Sequence, residues 1–497
     1  MKDILYRNRQ IIFFLLGPIL CLLILQCPAP EGLGHKGMKH LAAAAWILVW
    51  WITELFPLGA VSLLSILIYG IVDVMPPVKA YAIFANSNLM LMVGAMMILG
   101  AWKDSGLITR YAYWVLSLPW IKGRPRRLML VFAFATGLVS TIVPNIPVAI
   151  LFVSLAVAMG KGINAEPGKS NTIRGLCVMS GVGSALGGAG TPIGGAPNLV
   201  VIGVIASSLN YNVTFAEWTA LGMPVCLLML LAMVLLAYVF FPSRKDGLIS
   251  NSSEYIQKKR EELGSVTAFE HASMFVMGLA MLLWVFGQPI SKMLNWEMGT
   301  ALFAPASTAL LMGCSLLFLP IKRDKYSGTF QFAMSWKSCV NSVDWGIIIF
   351  MAGAILFGEN LVAGGVDKWL GNILIHAIGD MPPLLVWFVI MLIGAMLSQV
   401  IVNLAVVGLF IPVTATLAAH YGLNPVVVCL TVGMLCNVGI MFSVSSVPIA
   451  AAMLGSEGYS SPRDYIVYGF SVLIVCSMIA LFCGILLGNT IFPMPSV

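Results

Sequence analysis

Residues 184–198 read SALGGAGTPIGGAPN, and long apolar runs flank them on both sides. Five of the fifteen residues are Gly and two are Pro. Glycine permits unusual backbone angles, while proline lacks a donor and collides with the preceding helical turn. A helix entering this stretch must break. In hydrocarbon a broken backbone survives only where it is buried in protein or lines a polar cavity. Broken helices near mid-membrane free carbonyl and amide groups that hold ions and anionic substrates. The plainer alternatives are a glycine-rich packing seam and an extramembrane loop, although a loop rarely carries so little charge.

Composition sets the solvent. The chain has 497 residues, 60% of them hydrophobic and 9% charged, with a mean hydropathy of +0.96. These values describe an all-α polytopic membrane protein. The ten cysteines are scattered through apolar segments (Cys177, Cys226, Cys314, Cys429 and Cys476 among them), so free buried thiols are expected. No CxxC or Cys/His cluster suggests a resident metal or cofactor, and His35, His40, His271, His376 and His420 fall at segment ends or in loops. A net charge of +7 needs no nucleic acid, because basic loops belong on the cytoplasmic side of a membrane protein. The opening MKDILYRNRQ with its apolar sequel resembles a signal peptide, but Cys27-Pro-Ala-Pro lacks a small-residue cleavage pattern. An uncleaved first helix is expected.

About 20 apolar residues cross a bilayer. Candidate spans are 10–26, 41–55, 58–76, 88–101, 219–242, 270–288, 299–320, 343–358 and 465–490, with broken ones over 175–208 and 423–454. That makes about 11. Two further runs do not fit as simple spans. Leu128 to Gly160 carries no charge, and as one straight helix it would reach about 50 Å, well beyond the roughly 30 Å hydrocarbon core. Its middle, Val143-Pro144-Asn145-Ile146-Pro147, breaks a helix, and both flanks are basic (Arg124, Arg126 and Arg127; Lys161). Both ends therefore belong in the cytoplasm, and 128–160 reads as a re-entrant hairpin. Met381 to Ser456 has no Asp, Glu, Lys or Arg. It holds a second hairpin, 384–418, preceded only by Asp380 and expected to enter from outside, with its tip at Val400 to Leu404.

This threading passes a charge test. With the N-terminus cytoplasmic and the C-terminus external, Lys36, Lys39, Lys79, Lys292 and Lys368 lie outside and the other 22 of the 27 Lys and Arg lie inside. The positive-inside bias is satisfied. The polar stretch 243–269, with Lys258-Lys259-Arg260-Glu261-Glu262, reads as a cytoplasmic linker containing a short helix; a solvated face is the simpler account of its charges than a lipid site.

The two halves echo each other. Gly94-Ala95 and Gly106 recur as Gly353-Ala354 and Gly365, and Ser140 and Asn145 recur as Ser398 and Asn403. Each Ser–Asn pair sits in an apolar hairpin that precedes a broken helix. Because the hairpins enter from opposite sides, the repeats are inverted, which points to alternating access around a midplane site. The organisation expected is a first helix, 1–37; a first repeat, 38–242; the linker, 243–269; and a second repeat, 270–497. An asparagine in an apolar helix also serves simply to glue helices together.

AWILVWWITELFPLGAVSLLSI, from Ala45 to Ile66, resembles the "WWITEA-PLPVTALLP" signature of the divalent anion/sodium symporter family, and Gly187 to Asn198 resembles its "GGTGTPIGTAPN" segment. The order of hairpin, broken helix, linker and repeat extends the resemblance over nearly the whole chain. The resemblance implies a homodimer with a scaffold and a moving transport domain. It also implies sodium-coupled uptake, or exchange, of dicarboxylates, citrate or sulfate.

In that family each hairpin tip carries Ser-Asn-Thr. The matching triplets here are Pro144-Asn145-Ile146 and Val402-Asn403-Leu404, so both Asn persist while all four hydroxyls are lost. Ser140 and Ser398 match positions that help hold sodium in relatives. In the first break two family Thr positions are Ala189 and Gly195, whereas Thr191, Pro197 and Asn198 match; the second break, Ser443 to Pro448, stands where relatives often read "ATPPN". The resemblance thus implies substrate contacts at Asn145, Asn403, Thr191, Pro192, Pro197, Asn198, Ser445, Ser446 and Pro448. It implies sodium contacts at Ser140, Asn145, Gly190, Ser398 and Asn403.

No Arg or Lys falls in either hairpin or break, so an anion would be balanced by co-bound cations and helix N-termini. Hard cations take oxygen ligands such as Ser hydroxyls, Asn carbonyls and unwound backbone. Glu54, Lys103-Asp104, Glu359 and Asp367 are assigned to interfaces, with none central. The expectation is a secondary transporter of small, dicarboxylate-like organic anions in a bacterial inner membrane. It would be sodium-driven and elevator-like, with lipid, sodium and a second copy as partners. The alternatives are an anion exchanger, a carrier of a monoanion, sulfate or sulfonate, and an uncoupled channel. A membrane-embedded enzyme would need a nucleophile with its base, or a metal cluster, and the sequence offers neither.

Overall fold

The computed structural model describes residues 2–121, 124–243, 250–323, 329–442 and 446–494. Helices dominate it. An antiparallel pair of short strands, Pro320–Arg323 and Phe330–Phe332, was not anticipated from the sequence. Six helices are long and apolar enough to cross a membrane, or eight if each sharply bent pair is one span. Of the other expected spans, 10–26 and 41–55 correspond to the helices Lys2–Gln26 and His35–Thr53, and several are shorter pieces, such as Leu58–Ile71, Glu297–Leu302 and Pro305–Ser315. Apolar length alone merged, within 299–320, two helices that Pro305 separates. Outward-facing Val239, Phe275 and Phe482 are exposed, as a lipid-facing surface requires.

The matched glycines do matched work. Gly106 and Gly365 both take left-handed φ values, 79° and 69°, and each directly precedes a helix, Leu107–Leu116 and Val366–Ile378. The sequence reading left both amphipathic helices unassigned, between candidate spans. A Cβ on Gly94 would lie 2.3 Å from the Ala309 carbonyl carbon, and one on Gly353 would lie 2.4 Å from Ser62 Cβ. The Ser87–Asp104 helix of the first half thus presses on a helix of the second, and Trp345–Ala363 of the second presses on Leu58–Ile71 of the first. The halves are interlocked.

Both hairpins form. Pro125–Ser140 turns through Thr141–Pro144 into Asn145–Gly162. Pro383–Leu397 turns through Ser398–Val402 into Asn403–His420. The second tip lacks Pro, yet Val402 (φ −57°, ψ 129°) adopts nearly the backbone of Pro144 (φ −51°, ψ 142°). Any L-residue tolerates these angles, so the turn needs no proline. Both apolar stretches also break as expected: Asn171–Gly187 resumes as Ala196–Leu209, and Pro425–Cys436 resumes as Val447–Gly455. Asn145–Gly162 packs on the broken helices of both halves, and so does Asn403–His420.

Two ion pairs tie this assembly together. Asp464 completes the capping box that starts Pro462–Cys483 and also accepts Arg174 Nε at 2.8 Å, linking that helix to the start of the first broken one. Arg110 Nε meets Glu270 Oε1 at 2.6 Å and its Nη1 meets the Gly264 carbonyl at 2.9 Å, fastening Leu107–Leu116 to the end of the linker. Both carboxylates are buried. Removing either arginine would strand a buried charge, at a cost of about 3–5 kcal/mol.

Candidate substrate and ion site

Four helices begin at one cavity. Asn145–Gly162, Ala196–Leu209, Asn403–His420 and Val447–Gly455 start at residues that line a space of about 170 Å³. The first N–H groups of a helix have no intrahelical acceptor, and its N-terminus carries a partial positive charge. At none of the four does a side chain cap those groups. No ionisable side chain lines the space. Four uncapped N-termini around a cavity without charged side chains are able to hold an anion without an arginine.

The sequence-predicted residues separate into two groups here. Asn145, Asn403, Pro197, Ser446 and Pro448 line the cavity, with Ile146, Val402 and Leu404 supplying apolar wall. Thr191 and Asn198 do not; they are braces inside the break. The Thr191 hydroxyl donates to the Thr141 carbonyl, and Asn198 Nδ2 donates to the carbonyls of Gly188 (2.7 Å) and Thr191 (2.9 Å). The first of these carbonyls belongs to the hairpin turn and the other two to the break, and a buried carbonyl must find a donor. Pro192 lines a separate, wider cavity, and Ser445 lies outside the described residues.

The two tip asparagines are not equivalent. The Asn145 amide lies 3.1 Å from the carbonyls of Ser184 and Gly194 and 2.8 Å from Ser140 Oγ, which assigns its nitrogen to that side. Its hydrogens are therefore spent on the protein. Asn403 Nδ2 makes one bond, 3.1 Å to the Asn437 carbonyl, and its buried Oδ1 has no partner. The Ser pair differs as well, since Ser398 Oγ donates to the Ala395 carbonyl at 2.8 Å instead of reaching its asparagine.

Oxygen atoms gather at both tips. A Cβ on Gly194 would lie 2.6 Å from the Gly188 carbonyl oxygen and 2.9 Å from that of Thr141. Beside the other tip, a Cβ on Gly439 would lie 3.2 Å from both Asn403 Oδ1 and the Ser398 carbonyl oxygen. Gly190 abuts Thr141 and Met223. Neutral oxygens of this kind suit a hard monovalent cation. No group of three His, Cys, Asp or Glu residues is placed to hold a metal among the described residues.

Two site residues escaped the sequence reading. Gln399 fastens the second break: its Oε1 accepts the N–H groups of Ile440 (2.9 Å) and Met441 (3.0 Å), and its Nε2 donates to the carbonyls of Ala395 (2.7 Å) and Val438 (2.9 Å). Asn437 joins the breaks, because its Nδ2 lies 3.3 Å from Asn198 Oδ1 while its carbonyl accepts Asn403. The signal for Gln399 was present, as it is the one Gln in the uncharged run from Met381 to Ser456. Glu359, assigned from the sequence to an interface, lines the wider cavity.

Hairpins, breaks and a cavity ringed by helix N-termini define a multi-pass membrane transporter. The chain belongs to the citrate transporter family (CitMHS), whose profile matches residues 48–433 and 304–496. The resemblance noted in the sequence holds along the chain. The sodium-dependent dicarboxylate transporter SdcS of Staphylococcus saprophyticus is 27% identical over 454 residues, spanning 90% of this chain and 85% of that protein. SdcS of Staphylococcus aureus (strain USA300) is 27% identical over 479 residues, 95% and 89% of the two chains. The fold is similar to that of the YdaH transporter of Alcanivorax borkumensis (TM-score 0.53, 12% identity, 93% of this chain and 100% of that one). It is also similar to Neisseria gonorrhoeae MtrF (TM-score 0.51, 12% identity, 96% and 94%).

Proposed function

We propose that this protein carries small dicarboxylates by sodium-coupled symport. In this reading 38–242 and 270–497 are inverted repeats, and the body of hairpins and broken helices moves as an elevator against a scaffold that pairs two copies. The N-terminus is cytoplasmic, the C-terminus external, and the membrane a bacterial inner membrane. The observation that carries the reading is the convergence of four uncapped helix N-termini on a cavity without charged side chains. Each half contributes two N-termini and one asparagine, an arrangement suited to one carboxylate per half. Sodium at the neutral oxygens near Ser140, Asn145 and Gly190, and near Ser398 and Asn403, would offset the substrate charge. The sodium-dependent relatives support this coupling.

The lining narrows the substrate class. A space of about 170 Å³ is several times the roughly 30 Å³ that a water occupies, and below the 300–1,000 Å³ of drug-sized pockets. Ile146, Val402 and Leu404 stand where hydroxyls would greet a substituted substrate. A hydroxyl buried against them loses its partner, at about 1–3 kcal/mol. Unsubstituted four-carbon diacids should therefore be preferred roughly tenfold or more over hydroxylated ones, and tricarboxylates should be excluded. The experiment is uptake of labelled succinate into proteoliposomes, with and without a sodium gradient, against unlabelled malate, citrate and sulfate. Equal uptake in choline would remove sodium symport and favour exchange; stronger competition by malate or citrate would remove the assigned substrate class.

Orientation has its own test. Arg126 and Lys161 are exposed and flank the first hairpin. In a background lacking the exposed Cys27, single cysteines at both should react with impermeant reagents from the cytoplasmic face alone. Labelling from opposite faces would show a span where a re-entrant hairpin is proposed.

A further inference from the structure

The wider cavity holds about 410 Å³, and its walls include Asn88, Pro192, Ser207, Asn212, Gln288 and Glu359. It lies behind the substrate cavity. Pro192 lines one space while Gly194 to Pro197 line the other, so the first break is the wall between them. Along Trp345–Ala363, Ile347 faces the substrate cavity and Glu359 the wide one, about 18 Å apart at 1.5 Å rise per residue. In the proposed orientation the wide cavity is on the external side.

Its electrostatics are opposite to those of the substrate cavity. Glu359 is the one ionisable side chain lining either space, and it has no hydrogen bond or ion pair among the described residues. Two of the three helix N-termini that reach this cavity are capped, and the third, of Pro305–Ser315, is not. Asn86 Oδ1 accepts the Asn88 N–H at 2.9 Å, and Glu217 closes a capping box with Thr214. The helices that present their negative ends are Ala196–Leu209, through Ser207, and Trp345–Ala363, through Glu359. The amide of Gln288 donates to the Thr300 carbonyl at 3.1 Å, which leaves its oxygen for the cavity.

We propose that this cavity is a sodium site, with Glu359 as its single anionic ligand and the neutral oxygens of Asn88, Ser207, Asn212 and Gln288 as its other contacts. One carboxylate matches one positive charge, an all-oxygen lining selects a hard cation, and the volume leaves the ion part of its hydration. An empty site repels an approaching dianion, whereas an occupied one does not. Sodium would thus load before substrate from this side. That consequence rests on the symport reading; the binding does not.

The test compares wild type, Glu359→Gln and Asn403→Ala by thermal unfolding without substrate, in sodium chloride titrated against choline chloride at constant ionic strength. Wild type should be stabilised saturably. Glu359→Gln should fold normally in choline, since the carboxylate has no partner to lose. Its half-saturating sodium should rise roughly tenfold, as expected for removing a unit charge from a partly buried site. Asn403→Ala should keep the Glu359-dependent response. In proteoliposomes Glu359→Gln should raise the external sodium needed for half-maximal uptake while leaving substrate KM at saturating sodium unchanged. A Glu359→Gln titration superimposable on wild type, or no sodium stabilisation of wild type, overturns the site. Sodium stabilisation that needs Glu359, together with uptake indifferent to sodium, upholds the site and removes the symport reading instead.

Discussion

Asn403→Ala is expected to lower uptake by about 10- to 100-fold, the loss that follows from deleting a hydrogen-bonding group at a charged ligand. Its melting temperature should stay close to wild type. The side chain gives the fold only one bond, to the Asn437 carbonyl, while its buried Oδ1 is unpartnered. A buried polar atom without a partner is costly unless a ligand supplies one, and here the oxygens around it suit a cation. Asn145→Ala should behave differently despite its matched place in the sequence. It removes contacts to Ser184, Gly194 and Ser140 at once, so stability should fall along with transport. The deciding measurement is stabilisation of each purified variant by sodium and by succinate. Wild-type stabilisation of Asn403→Ala by both would remove the second tip from the site.

Much of this contrast lay beyond the sequence. The repeat of Ser140 and Asn145 as Ser398 and Asn403 located both hairpins, because Pro, Asn and an absence of charge suffice to mark a turn inside an apolar run. What a single amide bonds to depends on carbonyls brought in from elsewhere in the chain. Ser184 and Gly194 surround Asn145 only because the first break folds back onto the first tip. Thr191 and Asn198 show the same limit. Polar residues in a break are equally compatible with touching a ligand and with satisfying nearby backbone carbonyls, and these two do the second. Span boundaries were blurred for a simpler reason: hydropathy registers burial in lipid, whereas the amphipathic pieces Leu107–Leu116 and Val366–Ile378 are set off by left-handed Gly106 and Gly365. Glu359 was assigned to an interface from the sequence, and the cavity at its end of the helix became visible only in the fold.

Gln399→Leu should be the most damaging substitution near the site. The side chain is 1% exposed and serves four backbone groups of the second hairpin and the second break. Leucine fills a similar volume but meets none of them. Each buried group left unsatisfied costs about 1–3 kcal/mol, so a loss on the order of 4 kcal/mol is expected even with partial relaxation. That energy now holds Val438 to Met441 unwound beside Asn437, whose carbonyl positions Asn403. Release of the segment should therefore abolish uptake and speed hydrogen exchange at the Ile440 and Met441 amides. Gln399→Glu separates the two halves of the role. Its carboxylate still accepts from both amides but faces the Ala395 and Val438 carbonyls with no proton to donate. Exchange at Ile440 and Met441 should stay slow in that variant while uptake, relative to wild type at each pH, recovers as acid protonates the carboxyl. Equal protection of these amides in wild type and Gln399→Leu would mean that the break holds its shape without this side chain.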